Sequence, residues 1–184
     1  VEARATSAEL IENYQRKAPT TTWDRCSEAF AYYVLGNTHR RLIGAEPVHA
    51  ARHADVTIQT LDRCRSLCNE LSGEASYWEA VARTAAGGLL EAEVISGKRD
   101  ARSALADITD ALGSAIDLDE YTNADSIESH GWWCIYGCNI AIRHISDDKD
   151  LQRYMALFTN KADEIANKLD NWSMRERVFS MQYQ

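Results

Sequence analysis

Apolar residues recur every three or four positions along almost the whole chain, the period of a helix with one buried face. Leu151, Met155, Phe158, Ala162, Ile165, Leu169 and Trp172 step in fours and threes without a break. That run predicts a single amphipathic helix reaching Trp172. Ala101, Leu105, Ile108, Leu112 and Ala115 predict another over about 99–116. Trp78, Val81, Ala85, Leu89 and Ala92 predict a third over about 74–95. No stretch alternates apolar and polar residues over the length of a strand. The fold class is therefore all-α, with about eight helices.

Start and stop signals divide the pattern. Thr6-x-x-Glu9, Thr21-x-x-Asp24, Thr122-x-x-Asp125 and Ser173-x-x-Glu176 read as boxes opening the first, second, sixth and last helices. Pro19, Gly44 and Ser72-Gly73 follow helix ends, and Pro47 sits where a first turn tolerates its missing N–H. Met174, Val178 and Met181 form the inward face of the last helix.

Some blocks recur. Ile95-Ser96-Gly97-Lys98-Arg99-Asp100 and Ile145-Ser146-Asp147-Asp148-Lys149-Asp150 lie 50 residues apart and share Ile, Ser, a basic residue and Asp in register. Ala106-Asp107-Ile108-Thr109 matches Ala156-Leu157-Phe158-Thr159 at the same offset and Ala54-Asp55-Val56-Thr57 at 52. Gly36 falls on Gly88 and Gly87 on Gly137. A glycine inside a helix costs about 1 kcal/mol relative to alanine, so these positions predict close approach of a neighbouring helix. The chain reads as one domain, 1–184, of three tandem helical hairpins in a solenoid-like or bundle arrangement. The hairpins span about 22–72, 74–119 and 123–171, with a short helix at each end. Residues Trp78 to Asp119 have a tetratricopeptide-like flavour, but a period of about 50 exceeds the roughly 34 of that family. The architecture class alone is read from them.

Charge and composition then narrow the function. The net charge of -8 disfavours nucleic acid, whose phosphates need clustered Lys and Arg. It suits a basic protein or peptide partner. No apolar run reaches the ~18 residues of a membrane span, and no signal-peptide pattern is legible. Five cysteines, an odd number, suit a reducing compartment. A cytoplasmic protein is expected.

Candidate chemistry is sparse. Cys64-x3-Cys68 and Cys134-x3-Cys138, with His130, hold soft metal ligands on helical faces. In stacked hairpins the two pairs are kept apart by the middle hairpin, so they read as core thiols. Glu46-x-x-His49 resembles half of a carboxylate-bridged di-iron site but lacks its companions, leaving His49 and His53 as surface or packing residues. Asp147-Asp148-x-Asp150 reads as an acidic helix start capped by Ser146. Phosphate loops and nucleophile elbows are missing, and neither a metal nor a cofactor is expected. The reading leans against an enzyme.

Aromatic residues remain. Tyr32, Tyr33, Trp78, Trp132, Trp133 and Tyr136 all fall on first helices of the hairpins. Adjacent aromatics on a helix point about 100° apart, so one of each pair is expected to leave the core. First helices commonly line the concave side of a solenoid. The expectation is a non-enzymatic module, an immunity protein or adaptor, gripping a protein or peptide with these six residues. A metal-binding or small-molecule-binding bundle using the Cys/His or Trp-rich interior is the alternative.

Overall fold

A computed structural model describes residues 2–73, 75–113 and 124–182 of the chain. These form eight α-helices and no strand: α1 (Glu2–Arg16), α2 (Thr22–Ala45), α3 (Ala50–Leu71), α4 (Ser76–Ile95), α5 (Ala101–Gly113), α6 (Ala124–His144), α7 (Asp148–Lys168) and α8 (Trp172–Gln182). A single 3-10 turn, Pro47–His49, joins α2 to α3 and holds the proline at its first position.

The termini show which signals the backbone uses. Thr21 and Asp24 form the expected reciprocal box. The Asp24 N–H donates to Thr21 Oγ1 at 3.1 Å, and the Thr21 N–H donates to Asp24 Oδ2 at 3.1 Å. Thr6 opens nothing, because α1 already starts at Glu2. Asp147, rather than Ser146, caps α7 by accepting from the Asp150 N–H at 2.9 Å. Asn171, rather than Ser173, accepts from the Met174 N–H at 3.0 Å and starts α8. Thr122 and the end of the fifth helix lie outside the described residues.

The long stripe of α7 stops short of its last expected member. Asp170 adopts φ 50°, a left-handed conformation that ends helical propagation. Trp172 then begins α8 and is 74% exposed. Leu169 and Trp172 satisfy the spacing rule, but the backbone turns between them.

Packing is centred on α4. It lies against α3 on one side and α6 on the other, while α2 pairs with α3, and α7 with α6. Among the described residues, α5 rests more on α6 than on α4. One core cluster joins α4 to α8 around Leu105, Ile108, Phe158, Ile165 and Met174. Another joins α2, α3 and α4 around Leu61, Cys64, Cys68 and Ala85. Glycine lets the latter close: a Cβ on Gly36 would stand 2.5 Å from Leu61 Cδ2, and one on Gly88 2.9 Å from Leu61 Cδ1. Leu61 is fully buried between these two bare backbones.

Burial along the second helices recurs at nearly the spacing of the matched blocks. Ala54 and Thr57 are fully buried, as are Leu105 and Ile108, fifty-one residues further along. Phe158, fifty beyond Ile108, is fully buried too. The 52-residue block match is thus one position out for α3, since Ala106 is exposed where Ala54 is buried. No described helix is long and apolar enough to cross a membrane.

Candidate functional site

Two stripes at four-residue spacing build a groove between α2, α4 and α6. Tyr33, Asn37 and Arg41 follow one line along α2, and Glu128, Trp132 and Tyr136 follow another along α6. Helix periodicity sets each row on one face. The rows meet because α2, α4 and α6 run in the same direction. Tyr33, Tyr77 and Asp125 share one hollow, while Arg40, Glu91 and Arg143 come together further along the three helices.

The groove has two compartments. One, of about 310 Å³, lies between α2 and α6 and is lined by Tyr33, Asn37, Thr38, Arg40, Arg41, Trp132 and Tyr136, with Val34 beside them. The other, of about 170 Å³, lies between α4 and α6, with Tyr77, Thr84, Asp125, Glu128 and Ser129 in its wall. Tyr33 and Trp132 line both, so they stand at the junction.

The two ends differ in charge. In the first compartment both ionised side chains are arginines. Arg40 donates to Glu91 Oε2 at 2.8 Å and to Asn37 Oδ1 at 3.2 Å, and stacks 4.6 Å from the centre of the Tyr136 ring. Glu91, only 2% exposed, also faces Arg143 at 3.6 Å. Two guanidiniums share that one carboxylate, leaving a positive charge over, and exposed Arg41 adds a second. In the other compartment the ionised side chains are Asp125 and Glu128. Glu128 accepts from Trp132 Nε1 at 3.1 Å and from Asn171 Nδ2 at 3.0 Å, fixing the indole.

The tyrosines register this polarity. Burial pushes the Tyr136 hydroxyl upward; nearby Arg40 pulls it down, Glu91 adds to the rise, and Arg41 pulls it down further. Tyr77 is also pushed upward by burial, but there Asp125 and Glu128 add to the rise. Tyr33, between the ends, is raised chiefly by burial.

The six aromatic candidates therefore divide. Tyr33, Trp132 and Tyr136 converge on the groove, Tyr136 as its buried floor. Trp133 turns the other way, packing on Gly87 and donating to the Arg83 carbonyl. Tyr32 packs against the α2–α4 core. Neither member of either adjacent pair leaves the core entirely, because α6 is embraced by α4 and α7, and α2 by α1 and α3. Trp78 lines a separate cleft of about 790 Å³ between α1 and α2, with Leu10, Trp23, Phe30 and Val34. No charged side chain lines that cleft, and Trp23 and Phe30 are 78% and 49% exposed there.

The polar groups of the groove, Asn37, Arg41, Asp125 and Glu128, are not among the site residues read from the sequence, where Asp125 figures only in a helix-opening box. Their signal was available as four-residue spacing from Tyr33 and Trp132, but only the fold shows that the two rows face each other.

The remaining candidate chemistry is structural. Cys64 and Cys68 lie 3.8 Å apart in the α2–α4 core, and Cys134 and Cys138 lie in the other core, so the pairs never meet. Among the described residues no group of three His, Cys, Asp or Glu could hold a metal ion. His53 is buried and bridges Glu46 at 3.0 Å and His39 Nδ1 at 2.9 Å, tying the connection after α2 to α3. Glu46 thus partners His53 instead of forming a motif with His49. Comparison of the chain with family models, curated proteins and solved structures gives no match.

Proposed function

We propose that this chain is a non-enzymatic recognition module of tandem helical hairpins that binds a short peptide segment of a partner protein in the groove between α2, α4 and α6. The convergence of Tyr33 and Trp132 from different helices on two contiguous hollows carries this reading. Rigid aromatics at the centre of a concave surface supply contact area at little entropic cost, which is the usual make-up of a binding hot spot. The net charge of -8 supports a partner that is basic outside the groove. Five cysteine thiols and no disulfide support a reducing, cytoplasmic setting. An array of random decapeptides probed with the full chain should yield a bound subset, and Tyr33→Ala should remove most of it while leaving the helical circular dichroism intact. An array that binds wild type and Tyr33→Ala alike would exclude the groove.

A second reading, capture of a small neutral apolar molecule, is supported by the α1–α2 cleft. Its volume of about 790 Å³ lies within the range of small-molecule sites, roughly 300–1,000 Å³. Nile red, a neutral dye, should brighten on binding wild type and stay dim with Phe30→Asp. Equal brightening with both proteins would discard this reading.

A further inference from the structure

The opposed charges at the two ends of the groove give it a direction, and we infer that it reads peptide polarity: the free C-terminal carboxylate docks at Arg40 and Arg41, and a cationic side chain docks at Asp125 and Glu128. This rests on the peptide-groove reading above and adds the orientation and chemical class of the ligand.

The direction follows from the fold. Helices favour acids near their N-termini and bases near their C-termini. In most helix packings neighbours run antiparallel, and such charges cancel across the surface. Here α2, α4 and α6 are parallel, so their charges add. Arg40, Arg41 and Arg143 gather toward the C-terminal ends, and Asp125 and Glu128 lie near the start of α6. The chain as a whole is acidic, yet one end of its groove keeps a surplus of guanidinium after Glu91 is satisfied.

Length fixes the ligand's size. Asp125 to Tyr136 is eleven residues along α6, about 16 Å at 1.5 Å per residue. An extended peptide advances about 3.3 Å per residue, so about five residues bridge the two ends. Tyr33 and Trp132, at the junction, would meet the side chain in the middle. A guanidinium pairs well with a carboxylate, and Asn37 and Thr38 stand beside the two arginines. A terminal carboxylate suits this place better than an acidic side chain, because it brings no side-chain rotamers to freeze.

Pooled pentapeptides of the form Lys-X-Phe-X-X test the inference, with the full chain immobilised and retained peptides counted by mass spectrometry. Three pools are compared: the free acid, the C-terminal amide, and an amide whose last residue is Glu. The free acid should be retained at least tenfold over both amides. Arg41→Glu, at an exposed position, should level the three pools, and Tyr33→Ala should lose them all. Equal retention of acid and amide, still abolished by Tyr33→Ala, would overturn the polarity and leave the groove standing. Retention of the Glu-ended amide equal to the acid would overturn the assignment of a terminal carboxylate. If no pool is retained above the Tyr33→Ala level, groove and polarity fall together.

Discussion

At the scale of single residues, the cysteines show how environment decides chemistry. Cys64 and Cys68 are adjacent on one face of α3, as their spacing requires, and each has lost its solvent. The hydrogen bond to Cys68, followed by burial, pushes the Cys64 thiol far above its ordinary range. Burial raises Cys134 and lifts Cys138 to about 12. Nucleophilic attack needs a thiolate within reach of the reagent, and all four sulfurs are shut away from solvent, so they should be inert in the folded protein. Cys26 is only partly buried, in the wall of the apolar cleft. Native protein treated with iodoacetamide at neutral pH should gain one adduct, at Cys26, and all five only after unfolding. A second adduct forming as fast as the first, located by peptide mass mapping, would contradict the burial of the pairs.

At the scale of elements, caps and breaks matter more than periodicity. The Thr21–Asp24 box holds the start of α2, and replacing Thr21 by Ala should cost about 1 kcal/mol in a denaturant melt. Hydrogen bonds from the Thr21 side chain, then from the Thr21 and Thr20 backbone, hold the Asp24 carboxyl below its ordinary 3.8. The charged form is therefore favoured by folding. Its contribution is complete above the unfolded value and fades as pH falls through the lower folded one. Wild type should be more stable than Asp24→Asn at neutral pH, and the gap should close in acid below that ordinary value. A gap that widened in acid would reverse the sign.

The helices were legible in the sequence because 3.6-residue periodicity is a local property. Val81, Ala85, Leu89 and Ala92 do face inward, and so do Met174, Val178 and Met181. The exposure of Trp172 was not legible, since a left-handed Asp170 leaves no mark in an apolar spacing. The candidate groove was legible in part. Tyr33, Trp132 and Tyr136 could be listed from the chain, but separating them from Trp133 needed the direction of each ring, which Gly87 and the Arg83 carbonyl decide.

At the scale of the whole molecule, a cluster of two ion pairs sharing Glu91 links helices that local sequence cannot connect. Arg40 of α2, Glu91 of α4 and Arg143 of α6 meet across three hairpins, with the side chains of Arg40 and Glu91 11% and 2% exposed. Burying charges is costly unless each finds its partner, so the cluster contributes geometry more surely than net stability. Removing one member is therefore worse than removing two. Arg40→Met strands the Glu91 carboxylate among apolar neighbours with only the more distant Arg143, and should cost about 3–5 kcal/mol. Arg40→Met with Glu91→Leu removes the stranded charge and should recover much of that loss, a coupling that a double-mutant cycle measures. Both variants should also lose the Arg40 guanidinium as a donor to the ligand carboxylate, with Arg41 still in place, so retention of free-acid peptides should fall toward that of the amides even where stability has returned. Additive losses in the cycle would mean that the pair does not join α2 to α4. Restored stability with undiminished preference for the acid would separate the cluster from ligand polarity and leave Arg41 as its source.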